Sequence, residues 1–229
     1  MTRNSRGDWA SYPPEQIPTK RDVPELELFV DEAGAVGRLL DLGCGSGRIS
    51  QSLAERGFDV TGVDINEAAL AAAASRPGPR FLVRDIVSAG GLNLEGPPFR
   101  IVVCQLVISL VGGVAERKAL LDNAFSALEP GGLLYLSASE VSDDVNPGYR
   151  KLYLDDFPET LERHSYFSRD ADGNILYMTH HFTGVELSAI LDEAGFEMVR
   201  LSSKTESSSR RPGEAAHFLY AVCRRPDRS

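Results

Sequence analysis

Short apolar runs take turns with helically spaced apolar residues along most of the chain, and that alternation predicts its elements. The runs at Arg38–Leu42, Asp59–Val63, Phe81–Asp85, Ile101–Leu106 and Leu133–Ser137 read as strands. Between them, helical spacing extends from Ile49 to about Arg56, from Asn66 to Ala74 and from Glu116 to Leu128. The last of these sets Leu120, Leu121, Ala124, Phe125 and Leu128 on one side. Gly57 stops the first helix; Asn66 ahead of Glu67 is an N-cap for the second, which ends before Pro77. Ile101–Leu106 is apolar enough for a sheet centre. Strand–helix alternation at this pitch implies right-handed crossovers and a mostly parallel, doubly wound α/β sheet.

The two ends depart from that rhythm. Residues up to about Lys20 are polar and broken by prolines, with Trp9 and Tyr12 as either surface anchors or a lid over a ligand. Pro24 opens a short helix carrying Leu26, Phe29 and Val30, which ends near Gly34 or Gly37. After Ser137 the pattern fails until Gly184; Val185–Ala194 is then a helix stopped by Gly195. Phe196–Ser202 and His217–Cys223 are two further strands, joined by a polar loop from Lys204 to Ala215. That loop is too short for a crossover helix, so the pair should form an antiparallel hairpin. The organisation expected is one unit over 1–229, with a cap at 1–33, a core at 34–139 and 184–225, and an inserted segment at 140–183.

Composition narrows the classes. At 229 residues and 42% hydrophobic, the chain suits one well-buried core. A net charge of −9 argues against nucleic acid, whose phosphates need Lys and Arg to neutralise them. Cys44, Cys104 and Cys223 are odd in number and far apart, which suits reduced thiols better than disulfides or zinc. No window reads as a membrane span or a secretory leader. A soluble, cytoplasmic protein without membrane or nucleic-acid partners, monomer or homodimer, is expected.

Candidate chemistry begins at Leu39-Leu40-Asp41-Leu42-Gly43-Cys44-Gly45-Ser46-Gly47-Arg48. Strand, glycine turn and helix start make a nucleotide cradle: glycine lets the backbone approach a ligand, and free N–H groups face it. The spacing is G-x-G-x-G, not the G-x-G-x-x-G of dinucleotide folds. A second strand follows and ends in Asp64, which also suits an N-cap. With Val63-Asp64, Arg84-Asp85-Ile86, Leu128-Glu129-Pro130-Gly131-Gly132 and Phe182-Thr183 to Ala194-Gly195-Phe196, the chain from about Arg38 to Cys223 resembles the class I S-adenosylmethionine-dependent methyltransferases. The resemblance implies a seven-stranded sheet with its last hairpin antiparallel, and S-adenosyl-L-methionine bound across the C-terminal strand ends.

It also implies roles. Gly43, Gly45 and Gly47 would line the methionine and ribose; Asp64 would accept the ribose hydroxyls, with Ile65 flat against the adenine. Asp85 would take the adenine amino group, with Ile86 supplying a backbone contact. Asp41 would order the loop or reach the methionine amine through water, and Gln105 marks where a backbone carbonyl meets that amine. Arg100, Ser109 and the Cys104-Gln105-Leu106-Val107 end of the fourth strand depart from common family patterns. The last lacks the Asn/Asp-Pro-Pro-Tyr/Phe signature of base and glutamine methylation, and no acidic cluster offers magnesium for catechols. Acceptor choice is expected in the segment 140–183, which holds His164, His180, His181, Tyr149, Tyr153, Tyr166 and Tyr177. Its nine Asp or Glu against four Lys or Arg favour an amine or a neutral polar compound. Methyl transfer needs alignment above all. A general base helps a hydroxyl or ammonium acceptor, with His180 or His181 first and His164 next. Arg210 and Arg211 either clamp a carboxylate or form a bare hairpin tip. The expected function is O- or N-methylation of a small molecule, in specialised metabolism; a peptide side chain is the alternative, and a non-catalytic binder of S-adenosylmethionine or NAD is another.

Overall fold

The computed structural model describes residues 9–17, 23–34, 36–74, 77–208 and 213–227. Nine strands are present among them: β1 (Arg38–Leu42), β2 (Asp59–Asp64), β3 (Arg80–Val83), β4 (Phe99–Gln105), β5 (Leu128–Ser139), β6 (Ser165–Arg169), β7 (Ile175–His180), β8 (Glu197–Ser207) and β9 (Ala215–Arg224). The α-helices that flank the strands are α1 (Pro24–Ala33), α2 (Arg48–Glu55), α3 (Glu67–Ala73), α4 (Val114–Ala127), α5 (Gly148–Thr160) and α6 (Gly184–Glu193). None is long and apolar enough to cross a membrane.

Seven strands form one sheet in the order β3-β2-β1-β4-β5-β9-β8. The first five are mutually parallel, and β9 runs antiparallel to both β5 and β8. This is the class I methyltransferase fold expected from the sequence. Successive residues of each strand point to opposite faces and so feed two cores. Leu40, Leu42, Val102, Cys104, Leu134 and Leu136 pack under Leu120, Leu121 and Ala124 of α4 and Leu187 and Leu191 of α6. Leu39, Ile101, Val103 and Tyr135 pack under Leu26, Phe29 and Val30 of α1 and Leu53 of α2. The strand order reverses between β1 and β4, whose C-terminal ends therefore splay their loops apart and leave a crevice, the usual ligand position in such sheets.

Three expectations need correction. The fifth strand starts at Leu128, not Leu133, because α4 passes straight into it; pairing jumps from Phe99–Leu128 to Ile101–Leu133, so Glu129–Gly132 bulge inside the strand. The polar residues Ser203–Ser207 belong to β8, paired from Ser203–Leu219 to Ser207–Ala215, because β8 is an edge strand that solvent reaches. The segment 140–183 is not without regular structure. It holds α5 and the β6–β7 hairpin, and its two ends meet where Glu140 bridges Phe182 and Val141 N–H donates to the Phe182 carbonyl at 3.0 Å.

Candidate active site

The glycine turn closes on β2. The N–H groups of Gly43 and Cys44 both donate to the Val63 carbonyl, at 2.8 and 3.0 Å, so the chain leaving β1 bends across the neighbouring strand end. Gly43 has a φ of +72°, and a Cβ there would lie 2.6 Å from Val107 Cγ2. Backbone therefore replaces side chain at the cavity wall. Gly47, with φ +73°, is a different case: its Cβ would lie 2.6 Å from Phe81 Cζ, so this glycine serves packing behind the loop.

Asp64 sits at the C-terminal end of β2 with both oxygens engaged. Gly45 N–H donates to Oδ2 at 2.8 Å and Asn66 N–H to Oδ1 at 2.9 Å. Burial raises its carboxyl above the ordinary range, and these amides work against that rise. The Ile65 amide also meets this carboxylate, which with about four acceptor sites still has room for a donor from the cavity. Asp41 lies deeper: it is 2% exposed and accepts the Ser50 hydroxyl at 2.6 Å. Burial lifts its carboxyl to about 6. It ties β1 to α2 and does not line the cavity, so it orders the loop from behind.

A cavity of about 180 Å³ opens over these strand ends. Its floor includes Gly43, Gly45, Asp64, Ile65, Asp85, Ile86 and Gln105, seven of the nine residues singled out for the donor. Asp85 accepts Val87 N–H at 3.1 Å, and Asn123 holds the Ile86 carbonyl at 2.9 Å. Gln105 Oε1 is buried with no hydrogen-bond partner among the described residues. Just beyond it, Leu106 has a φ of +59° and donates its N–H to Ser137 Oγ at 2.9 Å, an uncommon backbone for leucine that aims the β4 end at the cavity. Nothing in the sequence signals that strain.

The roof comes from the ends of the chain and the inserted segment. Tyr149, Tyr166, Tyr177, Thr179 and His181 line it, with Trp9 and Phe218. Trp9 packs against Tyr177 with ring centroids 4.6 Å apart and planes tilted by 37°, and is held because Asn66 Nδ2 donates to the carbonyls of Trp9 (2.9 Å) and Tyr12 (2.7 Å). Asn66 also caps α3 through Ala69 N–H at 2.9 Å, so one side chain both starts the helix and pins the N-terminal segment, a double role the sequence reading missed.

The three histidines separate. His181 reaches the cavity, His164 and His180 do not. His180 is fastened on both ring nitrogens, Nδ1 by Ser165 Oγ at 2.8 Å and Nε2 by Glu186 Oε1 at 2.9 Å. Nearby Glu162 accepts from Arg117 at 2.6 Å, and this buried network joins α4, α6 and the inserted hairpin. Burial lowers the pKa of His164, which stands edge-on to Tyr153 at a φ of +62°. Tyr153 itself lies behind the cavity wall, and Arg210 and Arg211 fall outside the described residues. The acids of the inserted segment also miss the cavity. Asp156 pairs with Arg169 at 2.6 Å, Glu162 with Arg117 and Asp155 with Lys151. None of the segment's nine acids lines the cavity among the described residues, so its acidity gives no ground for selecting an amine.

These residues fit S-adenosylmethionine better than a dinucleotide. No Lys or Arg lines the cavity among the described residues, as a pyrophosphate would favour, while the orphaned Gln105 oxygen offers an acceptor suited to an ammonium. A parallel sheet with a glycine turn after β1 and an acid at the end of β2 defines a Rossmann-like nucleoside-binding enzyme. More narrowly, the chain belongs to the Methyltransferase domain family, which matches residues 20–201. It is similar to YqeM of Bacillus subtilis, a protein provisionally assigned as a methyltransferase, with 32% identity over 165 residues, 70% of this chain and 60% of that one. It is also similar to the ubiquinone biosynthesis O-methyltransferase of Idiomarina loihiensis, 33% identical over 103 residues, 44% of this chain and 41% of that one. The matched stretch thus spans less than two thirds of these relatives' length. Among solved structures, an S-adenosylmethionine-dependent methyltransferase from Methanosarcina mazei matches with a TM-score of 0.79 and 30% identity, over 90% of this chain and 99% of that one.

Proposed function

We propose that the protein transfers the methyl group of S-adenosylmethionine to an oxygen or nitrogen of a small-molecule acceptor. The observation that supports this best is continuity: one cavity runs from Asp64 and Asp85 to Tyr149, Tyr166 and His181. Donor and acceptor would thus share one enclosure, roofed by Trp9 and the inserted segment, where a peptide would need an open groove. Gly43 and Gly45 would give backbone room to the methionine and ribose, Asp64 would accept the ribose hydroxyls, and Ile65, Asp85 and Ile86 would hold the adenine. Gln105 Oε1 would accept from the methionine ammonium. The donor supplies a sulfonium-bound methyl group; the chain's task is to hold the acceptor in line with it and keep water out, which accounts for large rate effects without further chemistry. His181, the one of the three candidate histidines that lines the cavity, would meet the acceptor. The name of the ubiquinone-pathway relatives favours oxygen over nitrogen.

Calorimetry with S-adenosylmethionine, S-adenosylhomocysteine and NAD tests the donor. Binding of the two methionine-derived ligands without NAD is expected; failure of both to bind overturns the reading. A metabolite screen with methyl-labelled donor then tests the acceptor, and labelling confined to peptides would replace the small molecule.

A further inference from the structure

The inserted segment carries a tyrosine that the cavity does not touch but that holds the residue that does. Tyr153 on α5 is 8% exposed, and its hydroxyl lies 2.7 Å from His181 Nδ1. On the other side of the ring, the Tyr166 hydroxyl lies 3.5 Å from Nε2, too far for a firm bond. Tyr166 lines the cavity and Tyr153 does not, so Nε2 is the nitrogen on the cavity side. Tyr149, Tyr153 and Tyr166 pack against the imidazole at centroid distances of 4.8, 5.8 and 5.3 Å and at steep angles, so aromatic rings surround it.

A neutral imidazole has one N–H, and the partner of the other nitrogen decides where it sits. With the proton on Nε2, the Tyr153 hydroxyl donates to Nδ1 and its hydrogen is satisfied. With the proton on Nδ1, that N–H must point at the Tyr153 oxygen, and the phenolic hydrogen must turn elsewhere. The Ser142 N–H also meets that hydroxyl, but as a donor to its oxygen; among the described residues His181 is the one acceptor found for the phenolic hydrogen, which would otherwise be buried unpaired. An unmade buried donor shifts such an equilibrium about tenfold or more. Burial also drives the Tyr153 phenol far above its ordinary range, so it remains a donor at working pH.

We propose that Tyr153 is a positioning residue that fixes His181 as the Nε2–H tautomer, and that the cavity thereby takes an aromatic alcohol as its phenolate, held by His181 Nε2–H beside the Tyr166 hydroxyl. The phenolate rests on the acceptor half of the function proposed above. Aromatic rings of Trp9, Tyr149, Tyr166, Tyr177 and Phe218 suit a flat acceptor, and the charged residues of the described lining are confined to Asp64 and Asp85 at the other end. A phenolate oxygen enters with a free electron pair. It forms the O–CH3 bond as the S–CH3 bond breaks, the electrons pass to sulfur, and no proton leaves the acceptor in that step. Donors aimed at the anionic oxygen lower the phenol's pKa, so the phenol gives up its proton to bulk water as it binds and needs no base at His181.

The test is a two-bond proton–nitrogen NMR correlation on histidine-labelled protein saturated with S-adenosylhomocysteine, with His181→Gln assigning the signal. The expected spectrum has His181 Nε2 in the protonated range and Nδ1 in the unprotonated range. Protonated Nδ1, or averaged tautomers, overturns the proposal. Tyr153→Phe should move His181 to averaged tautomers with the affinity for S-adenosylhomocysteine unchanged; an unmoved signal also overturns it. If that variant fails to fold, the wild-type spectrum decides alone. A chromogenic phenol, 4-nitrophenol, added to the same complex should ionise at lower pH than in buffer; binding as the neutral phenol, or no binding, removes the phenolate. Failure of S-adenosylhomocysteine to bind would instead sink the function proposed above and leave the tautomer to be read from the free protein.

Discussion

Replacing Asp41 with Asn tests how the glycine turn is held from beneath. Asp41 is buried at the end of β1, with Ser50 Oγ donating to Oδ2 at 2.6 Å. Burial raises its carboxyl from 3.8 to about 6, against the Ser50 bond and with help from the nearby Asp64 charge. The native state therefore holds this proton more tightly than the unfolded chain does. Stability attributable to Asp41 is fully present below about pH 4, falls as pH rises toward 6, and stays low above about 7. A gap of about 2 in pKa corresponds to ~3 kcal/mol. Asn has the same shape, still accepts from Ser50 and carries no charge, though its amide hydrogens need partners. The expected gain at pH 8 is thus ~1–3 kcal/mol, shrinking to ~0.5 kcal/mol near pH 4. For 229 residues, 2 kcal/mol moves the melting temperature by about 4–8 °C. Urea unfolding of both proteins at pH 4, 6 and 8 measures it. An Asn variant no more stable at pH 8, with an unchanged pH slope, would refute the reasoning and mean that the ionised carboxylate has a stabilising partner in the fold.

Four other outcomes are expected. Asp64→Ala should weaken S-adenosylhomocysteine binding at least about tenfold by calorimetry, since one lost charged acceptor is worth ~1.5–3 kcal/mol; unchanged affinity removes Asp64 from the ribose. Gly47→Ala should cost ~2–4 kcal/mol in denaturant unfolding, because its Cβ meets Phe81 at 2.6 Å with φ at +73°. Asn66→Ala should lose ~1 kcal/mol of capping and free the segment of Trp9, the chain's single tryptophan, so its fluorescence should shift to the red. Asp156→Ala should loosen the β6–β7 hairpin, costing ~1–3 kcal/mol by removing the acceptor of Arg169 and the Phe167 amide, and leave S-adenosylhomocysteine affinity intact in calorimetry. Burial pushes the Asp156 carboxyl up, but Arg169 and the Phe167 amide bring it to a net value below the ordinary one. Its contribution is therefore present above the unfolded pKa and fades as pH falls through the lower folded one, a dependence the variant should lack.

The sheet and the donor end of the cavity were legible in the sequence because both rest on strong local signals. Leu39-Leu40 followed by three alternating glycines needs no tertiary information, and neither does Asn66 ahead of Glu67. The acceptor end was not legible because its elements bury groups that hydrophobicity does not count. The inner face of α5 is Tyr149, Tyr153, Asp156 and Thr160, a helical spacing written in polar-capable residues. Asp156 is buried only because Arg169, on a different element, neutralises it. The hairpin turn did carry a signal: Asp170 accepts from the N–H groups of Asp172 and Asn174, and Gly173 sits at a φ of +84°. Recognised as a turn, Asp170–Asn174 would have placed β6 and β7 on either side.

That hairpin also decides which of two adjacent histidines lines the cavity. Neighbours at a strand end point to opposite sides, so His180 and His181 cannot both face the cavity. His180 turns to Ser165, Glu186 and the Arg117–Glu162 pair, whose Arg117 also donates to the carbonyl of Val111, a cavity residue, at 3.3 Å. His181 turns to Tyr153 and the cavity. The same backbone thus fastens the inserted segment to α4 and α6 through one histidine and sets the other in the cavity wall. A one-residue slip of β7 would exchange the two, burying His181 against Glu186 and leaving the cavity with the wrong partners. The Arg117–Glu162 pair and Glu186 around His180 hold that register, so a network outside the cavity fixes which histidine lines it.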